Sequence, residues 1–358
     1  MEITIVNNLE ELKNIKQSWE DLEGRSNYIT FYNSFSYVYS WAETHQSLFE
    51  KLFIVCVSER KKIIGVAPMM VTKSRAFSVI EFNKLSFLGK GDYFNFLIED
   101  RAKFKPIVTK IFDAINKFEG WDKLDLTHIQ KGTDLLKFLL RSTKYNSRTS
   151  FFGETPVVLK ESHSDFINYK KNHIRKNVNN YYNKLKKDYE IKVKMYWDNE
   201  GDILNRIRTI HITRNSIGKN RKSLFTQSNT RSFLQSIYTQ NRKTLTFCVE
   251  NESEIISYVT CYIHGDIIHV WNNSYNIAYE RYSPGDIVYM EALKYFFSEE
   301  CGFRVLDFGG GRYPWKFQMT NDFLSMYRLN LNNKNCKKYK LLQLYDTIFQ
   351  IGKIALTR

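Results

Sequence analysis

Asp307 closes a short apolar run, Val305-Leu306, and is followed by Phe308 and three glycines, Gly309 to Gly311. A carboxylate at a strand end beside a glycine loop is partly desolvated yet reachable, which suits the taking of a proton from an acceptor amine or hydroxyl. Lys316 follows the loop and can hold a phosphate or carboxylate, and the Tyr313 hydroxyl can donate a proton. His211 is the second candidate base, because an unperturbed imidazole already titrates near neutral pH. A plainer role for Asp307, capping or bracing the glycine loop, is equally open.

Upstream, Arg281-Tyr282-Ser283-Pro284-Gly285-Asp286-Ile287 reads as a turn that starts a helix. Proline presets φ, glycine permits positive φ, and serine or aspartate caps free amides. Those amides and the positive end of the helix dipole suit a phosphate, although an ordinary loop and helix would look the same in sequence. Met290, Leu293, Phe296 and Phe297 share one face of the helix, Gly302 stops it, and Arg304 to Phe308 forms the next strand. No GxSxG, HExxH or P-loop pattern occurs, which argues against hydrolase and kinase chemistry.

These residues need a frame, and the remaining chain supplies one. With 358 residues, 43% of them hydrophobic, the chain is long enough for two domains with sizeable cores. Glu2 to Val6 reads as a strand, Leu9 to Leu22 and Phe31 to Trp41 as helices, Leu52 to Ser58 and Lys62 to Val71 as a hairpin, and Lys103 to Phe118 as a helix before the strand Leu124 to Ile129. Ser164 to Tyr189 reads as one long basic helix in which Arg175 is the candidate phosphate contact. Leu245 to Glu250, Glu254 to Ile263 and Ile267 to Ser274 form a three-stranded meander, and Phe323 to Leu331 a final strand. The net charge of +15 draws anions without choosing among nucleotide cofactors, sugar phosphates, membranes and nucleic acid. Five cysteines without CxxC spacing point to buried thiols rather than disulfides or a metal site. The acidic N-terminal stretch lacks a signal peptide's apolar core, so a cytoplasmic location is expected.

Several stretches together resemble a bacterial acyltransferase group of the GNAT (acyl-CoA-dependent acetyltransferase) superfamily. This is the two-domain type encoded with cellulose, capsule or O-antigen biosynthesis, related in architecture to the aminoacyl transferases of peptidoglycan cross-bridges. Ser283-Pro284-Gly285, then Asp307, Phe308, Gly311 and Lys316, match its S-P-G, D-F-x-x-G and terminal lysine; Trp315 stands next to that lysine and Tyr313 is displaced. In the first half, Asp92 and Tyr93 match a central D-Y pair, and WDKLDL matches a W-D-x-L-D-L strand. RKN at 175 to 177 and His211-x-x-Arg214 before Ser223-Leu224-Phe225 match further segments, with Asn215 in place of a tryptophan.

The resemblance implies an α+β fold of two tandem GNAT-like domains. Each would be a mixed, mostly antiparallel sheet flanked by helices: 1–155, then 156–335 with the acyl-CoA site, then a basic amphipathic helix over 336–358. In such folds the strand before the turn splays from the next one. Here these are Ile267 to Ser274, which carries Trp271, and Arg304 to Phe308, and the cofactor arm enters the gap. Arg281, Ser283, Gly285, Asp286, Ile287 and Trp271 are the implied cofactor contacts. Asp92, Tyr93, Arg175, Arg214 and Lys316 are the implied acceptor contacts. The implied reaction is N- or O-acyl transfer from acetyl-CoA or another acyl-CoA, without a metal, to an amino sugar, nucleotide sugar or surface-polysaccharide precursor. An aminoacyl-tRNA-dependent transferase and a non-catalytic basic binding protein are the alternatives. The dispersed lysines carry no nucleic-acid readout motif. The last helix, with Leu341, Leu344, Tyr345, Ile348 and Ile351 on its apolar side and Lys337, Lys338, Lys340 and Lys353 around it, either packs on the domain or touches the inner face of a membrane.

Overall fold

A computed structural model describes residues 1–99, 103–217, 222–252, 254–311 and 313–356, with side chains through Ile348. Contacts divide the chain into two compact units, Met1–Gly153 with Ser325–Arg358, and Glu154–Leu324. Lys219 and Arg221 of the basic loop, and the side chains of Ile351 and Lys353, lie outside the described residues.

The first unit begins with β1 (Glu2–Val6), α1 (Leu9–Asn14), α2 (Lys16–Glu23) and α3 (Phe35–Thr44). Next come β2 (Lys51–Leu52), β3 (Ile54–Glu59), β4 (Lys62–Ala67), β5 (Met69–Ala76), β6 (Ile80–Phe87) and β7 (Leu97–Ile98). Then follow α4 (Phe104–Lys117), β8 (Lys123–Gln130), α5 (Asp134–Arg141) and β9 (Thr149–Leu159), the last running into the second unit. β1, β3, β4 and β7 pair antiparallel. β2, β5 and β6 form an antiparallel set, and β6 runs parallel to β8.

The second unit holds α6 (Phe166–His173), α7 (Val178–Asp188), β10 (Lys192–Trp197), α8 (Ile203–Ser216) and α9 (Ser228–Tyr238). It continues with β11 (Thr244–Glu250), β12 (Ile255–His264), β13 (Ile267–Tyr275), α10 (Pro284–Phe296), β14 (Val305–Asp307) and α11 (Pro314–Met319). The final elements are β15 (Asp322–Asn332) and α12 (Tyr339–Leu356). β10 to β13 form an antiparallel meander, β13 pairs parallel with β14, and β14 pairs antiparallel with β9. The protein is therefore α+β, with mixed and mostly antiparallel sheets.

Two features depart from a reading in sequence order. β15 pairs with β8 from Met326 to Asn332, so residues 325–358 group with the first unit rather than with the half that precedes them. The stretch 164–189 is two helices, not one. Ile174 leaves α6 in an extended conformation and is itself buried, and the chain restarts at Val178. Spacing did not show the break, because Ile174 and Val178 stand four residues apart, as they would in a continuous helix.

The core of the second unit forms around α10. Ile287, Val288, Leu293 and Phe296 are fully buried and pack with Phe247, Val259, Ile268, Leu306 and Phe308. Burying each such side chain contributes roughly 1.5–3 kcal/mol, enough to hold α10 across the meander. All five cysteines are free, and burial pushes the Cys56 thiol up to about 12.

His264, at the end of β12, gives the fold an acid limit. Burial, helped by Lys243, lowers its imidazole to about 4, against the opposing pull of Asp266. The folded value lies below the ordinary 6.5, so the unfolded chain binds the proton first as pH falls. Stability from this group is complete above about pH 6.5 and is lost as pH falls through about 4. Thermal melts across this window should fall more steeply for the wild type than for His264→Gln; parallel curves would clear His264 of the effect.

Candidate active site

β13 and β14 run side by side for three residue pairs, ending at His269 opposite Asp307. Beyond that pair β14 stops, whereas β13 continues to Tyr275, paired only to β12 among the described residues. A register shift at Thr260/Cys261 of β12 leaves Trp271 as the extra residue on β13. Such a bulge turns the strand and re-aims its backbone groups. The parting and the bulge together open the edge of β13 where the two strands separate.

Asp307 is buried at the point of parting, only 1% exposed. One carboxylate oxygen accepts the Gly309 amide at 2.8 Å, and the other stands 3.1 Å from Nδ1 of His269, which is also buried. Gly309 and Gly311 take positive φ, 72° and 101°, so the loop needs glycine at both. Beneath the loop lies Lys316. It is 6% exposed, and its ammonium donates to the carbonyls of Gly309 and Gly310 at 2.9 and 2.7 Å. Asp307 thus anchors the loop by its amide and Lys316 by its carbonyls. To bind an acceptor phosphate, Lys316 would have to exchange these carbonyls for it. Tyr313, just before α11, is 58% exposed, with its ring 5.3 Å from the Lys316 ammonium.

His211, on α8, sits near the bulge through intermediate rings. It lies 5.2 Å from Phe225, which lies 6.4 Å from Trp271; Trp271 in turn stacks on Tyr262. Its Nδ1 is engaged by Ser223 at 2.8 Å and Asn215 at 3.1 Å. Burial, aided by the neighbouring Arg214 charge, lowers its imidazole below the ordinary value, so it is neutral at pH 7 and able to take a proton. Arg214 itself stacks over the Tyr275 ring at 3.9 Å.

The start of α10 is leaner in donors than its sequence implies. The left-handed residue is Ser283, φ 48°, whereas Gly285 already lies within the helix and has no positive φ. Pro284 has no amide hydrogen, and the amides of Asp286 and Ile287 both donate to the Ser283 carbonyl. Gly285 keeps the one first-turn amide with no acceptor among the described residues. Arg175 reaches the same helix end, 3.8 Å from Asp286, and donates to Gln318 at 2.9 and 3.1 Å. Burial raises the Asp286 carboxyl against the pull of Arg175, which weakens its repulsion of a bound anion. Arg281 points elsewhere, toward Tyr282 and Asp188.

The structure thus gathers Asp307, Lys316 and Tyr313 at the strand end, His211 and Trp271 near the bulge, and Arg175 with Asp286 at the helix start. Asp92 and Tyr93 belong to the first unit, where Tyr93 is buried and its carbonyl accepts from Thr30. His269 is the residue that sequence reading missed. It sits mid-strand among apolar neighbours, and only the parallel register sets it beside Asp307.

Residues 172–317 match the family model of the acetyltransferase (GNAT) domain. That stretch, inside the second unit, is accordingly similar to a GNAT-type acetyltransferase domain. No curated protein matches the sequence. Among solved structures, FemX superposes with a TM-score of 0.62 at 13% identity, over 96% of this chain and 99% of that one. The C-terminal domain of a putative lysylphosphatidylglycerol synthetase from Agrobacterium fabrum gives 0.54 at 10% identity, over 94% and 97%. A tandem GNAT protein of the clavulanic acid biosynthesis pathway gives 0.51 at 8%, over 94% and 100%. At these identities the likeness is one of fold.

Proposed function

We propose that the protein transfers an acyl group from acyl-CoA, acetyl-CoA foremost, to the amine or hydroxyl of an amino sugar, nucleotide sugar or surface-polysaccharide precursor. The observation that carries this reading is the parting of β13 and β14 at His269 and Asp307, with a bulge at Trp271 and the α10 N-terminus after the strand. Acetyl-CoA supplies an activated thioester. The open edge of β13 donates backbone amides toward a developing oxyanion, which is the largest single catalytic effect such a site offers. The Gly285 amide and Arg175 hold phosphate at the helix start. Asp307, supported by His269, takes the acceptor proton; His211 is the second candidate. Tyr313 stands at the exposed side to protonate the leaving thiolate. Arg214 and Lys316 are the proposed acceptor contacts.

The thin donor set at α10 favours one rival, in which the acyl donor is an aminoacyl-tRNA and not a coenzyme A thioester. Titration calorimetry with acetyl-CoA separates the two. The wild type should bind, and Gly285→Glu should bind at least about tenfold more weakly, because it sets a carboxylate against the incoming phosphate. The variant should fold, since a Cβ at Gly285 meets nothing nearer than Tyr275 at 3.9 Å. A wild-type protein that ignores acetyl-CoA but turns over charged tRNA would overturn the proposal.

A further inference from the structure

Helix α12 divides its described side chains among different faces. Leu342 is fully buried with Ala76 and Phe82, and Tyr345 packs beside them. Asp346 on the same side pairs with Lys123 and accepts from Asn332. Another face carries Leu341, Leu344 and Ile348, which are 46%, 52% and 49% exposed. Their spacing places them in one row along the helix. A row of large aliphatic side chains left in water marks a contact surface when other apolar groups continue it.

The hairpin between β5 and β6 continues it. At its tip Phe77 is 39% and Val79 78% exposed. Phe77 and Ser78 both hold positive φ, 51° and 64°. Such turns ordinarily use Gly, Asn or Asp, and a bulky residue in this region is strained. The tip therefore keeps two exposed apolar residues at a conformational cost that polar turn residues would remove. The Phe77 ring packs edge-on against Tyr345 of α12 at 5.2 Å, so hairpin tip and helix form one surface.

The charges around this surface have one dominant sign. Lys337 and Lys340 are exposed at the start of α12; Arg75 and Lys73 are exposed on the face of β5 opposite Ala76, Lys73 being offset by Glu81. The nearby acids are already engaged: Glu81 pairs with Lys73, and Asp346 is turned toward Lys123.

We propose that the hairpin tip and the outer face of α12 form a foot that seats on an anionic phospholipid bilayer. Phe77, Val79, Leu341, Leu344 and Ile348 enter the boundary between headgroups and acyl chains, and the surrounding lysines and arginine lie among the anionic headgroups. The charge pattern selects this occupant: a second copy of the chain would bring the same cations against one another, whereas an anionic lipid surface neutralises them. No helix among the described residues is long and apolar enough to cross a membrane, so the attachment is to the surface. The proposal uses none of the acyl-transfer residues and stands or falls apart from them.

Vesicle co-sedimentation of the full-length chain tests it, with phosphatidylcholine alone and phosphatidylcholine mixed with phosphatidylglycerol. Binding to the anionic vesicles, weakened by added salt, is expected, with much less binding to the neutral ones. Phe77→Asn with Val79→Ser, and separately Leu344→Gln with Ile348→Gln, should each weaken it at least about tenfold. The first pair also replaces a strained phenylalanine with a residue suited to positive φ, so its melting temperature should hold or rise. Two failures overturn the proposal: no binding to either vesicle, or variants that bind like the wild type. A dimer in sedimentation velocity that both variant pairs dissolve would assign the surface to a second copy instead.

Discussion

Asp307→Asn is expected to lower turnover by about a hundredfold or more, with acetyl-CoA affinity and melting temperature little changed. Asparagine keeps the volume and keeps an acceptor oxygen for the Gly309 amide, so the loop retains that anchor. What it loses is the charge beside His269, 3.1 Å away, and the ability to take a proton. If Asp307 served only to brace the glycine loop, the asparagine variant would turn over near normally, because the brace survives the change. His269→Gln then asks whether the pair acts together. In a joined pair its loss and that of Asp307→Asn are not additive, so the double variant should be little worse than either single one. Near-normal turnover in Asp307→Asn, combined with a dead His211→Ala, would move the base to His211. Activity in both would leave positioning of an already deprotonated acceptor as the source of rate.

Lys316→Met should lower the melting temperature by several degrees and reduce turnover with it. The ammonium is buried and donates to two carbonyls, those of Gly309 and Gly310. Methionine matches the length of the chain but offers no donor, so both carbonyls lose this partner at a cost of about 2–4 kcal/mol. The loop they belong to follows Asp307 directly, so loosening it disturbs the carboxylate proposed as the base as well. The two roles of Lys316 separate in the measurement. As a brace, the variant loses stability and turnover together. As a ligand to the acceptor, it keeps its melting temperature and shows a raised KM for the acceptor alone.

Sequence by itself determined the parts of this protein that depend on neighbours in the chain. The β11–β13 meander was legible from apolar runs punctuated by Asn251-Glu252 and Gly265-Asp266. The start of α10 was legible from Ser283-Pro284, because a proline in the first turn needs no partner from elsewhere. The D-F-x-x-G run at Asp307 resembles an acyltransferase pattern, and it lies within residues 172–317, which match the acetyltransferase (GNAT) domain model.

Tertiary structure decided what depends on register and burial. His269 meets Asp307 because β13 and β14 are parallel neighbours separated by α10, and the register of such a crossover is not written in either strand. Arg175, Asp286 and Gln318 meet only once two helices and a turn converge. Lys316 has the charge of a surface ligand in sequence, and burial under the glycine loop turned it toward carbonyls. Ser283, not Gly285, took the left-handed conformation because α10 starts at Pro284, which places Gly285 inside the helix. β15 joined the first unit because its ladder partner, β8, lies nearly two hundred residues earlier, and pairing over such a distance is settled by packing and not by local pattern.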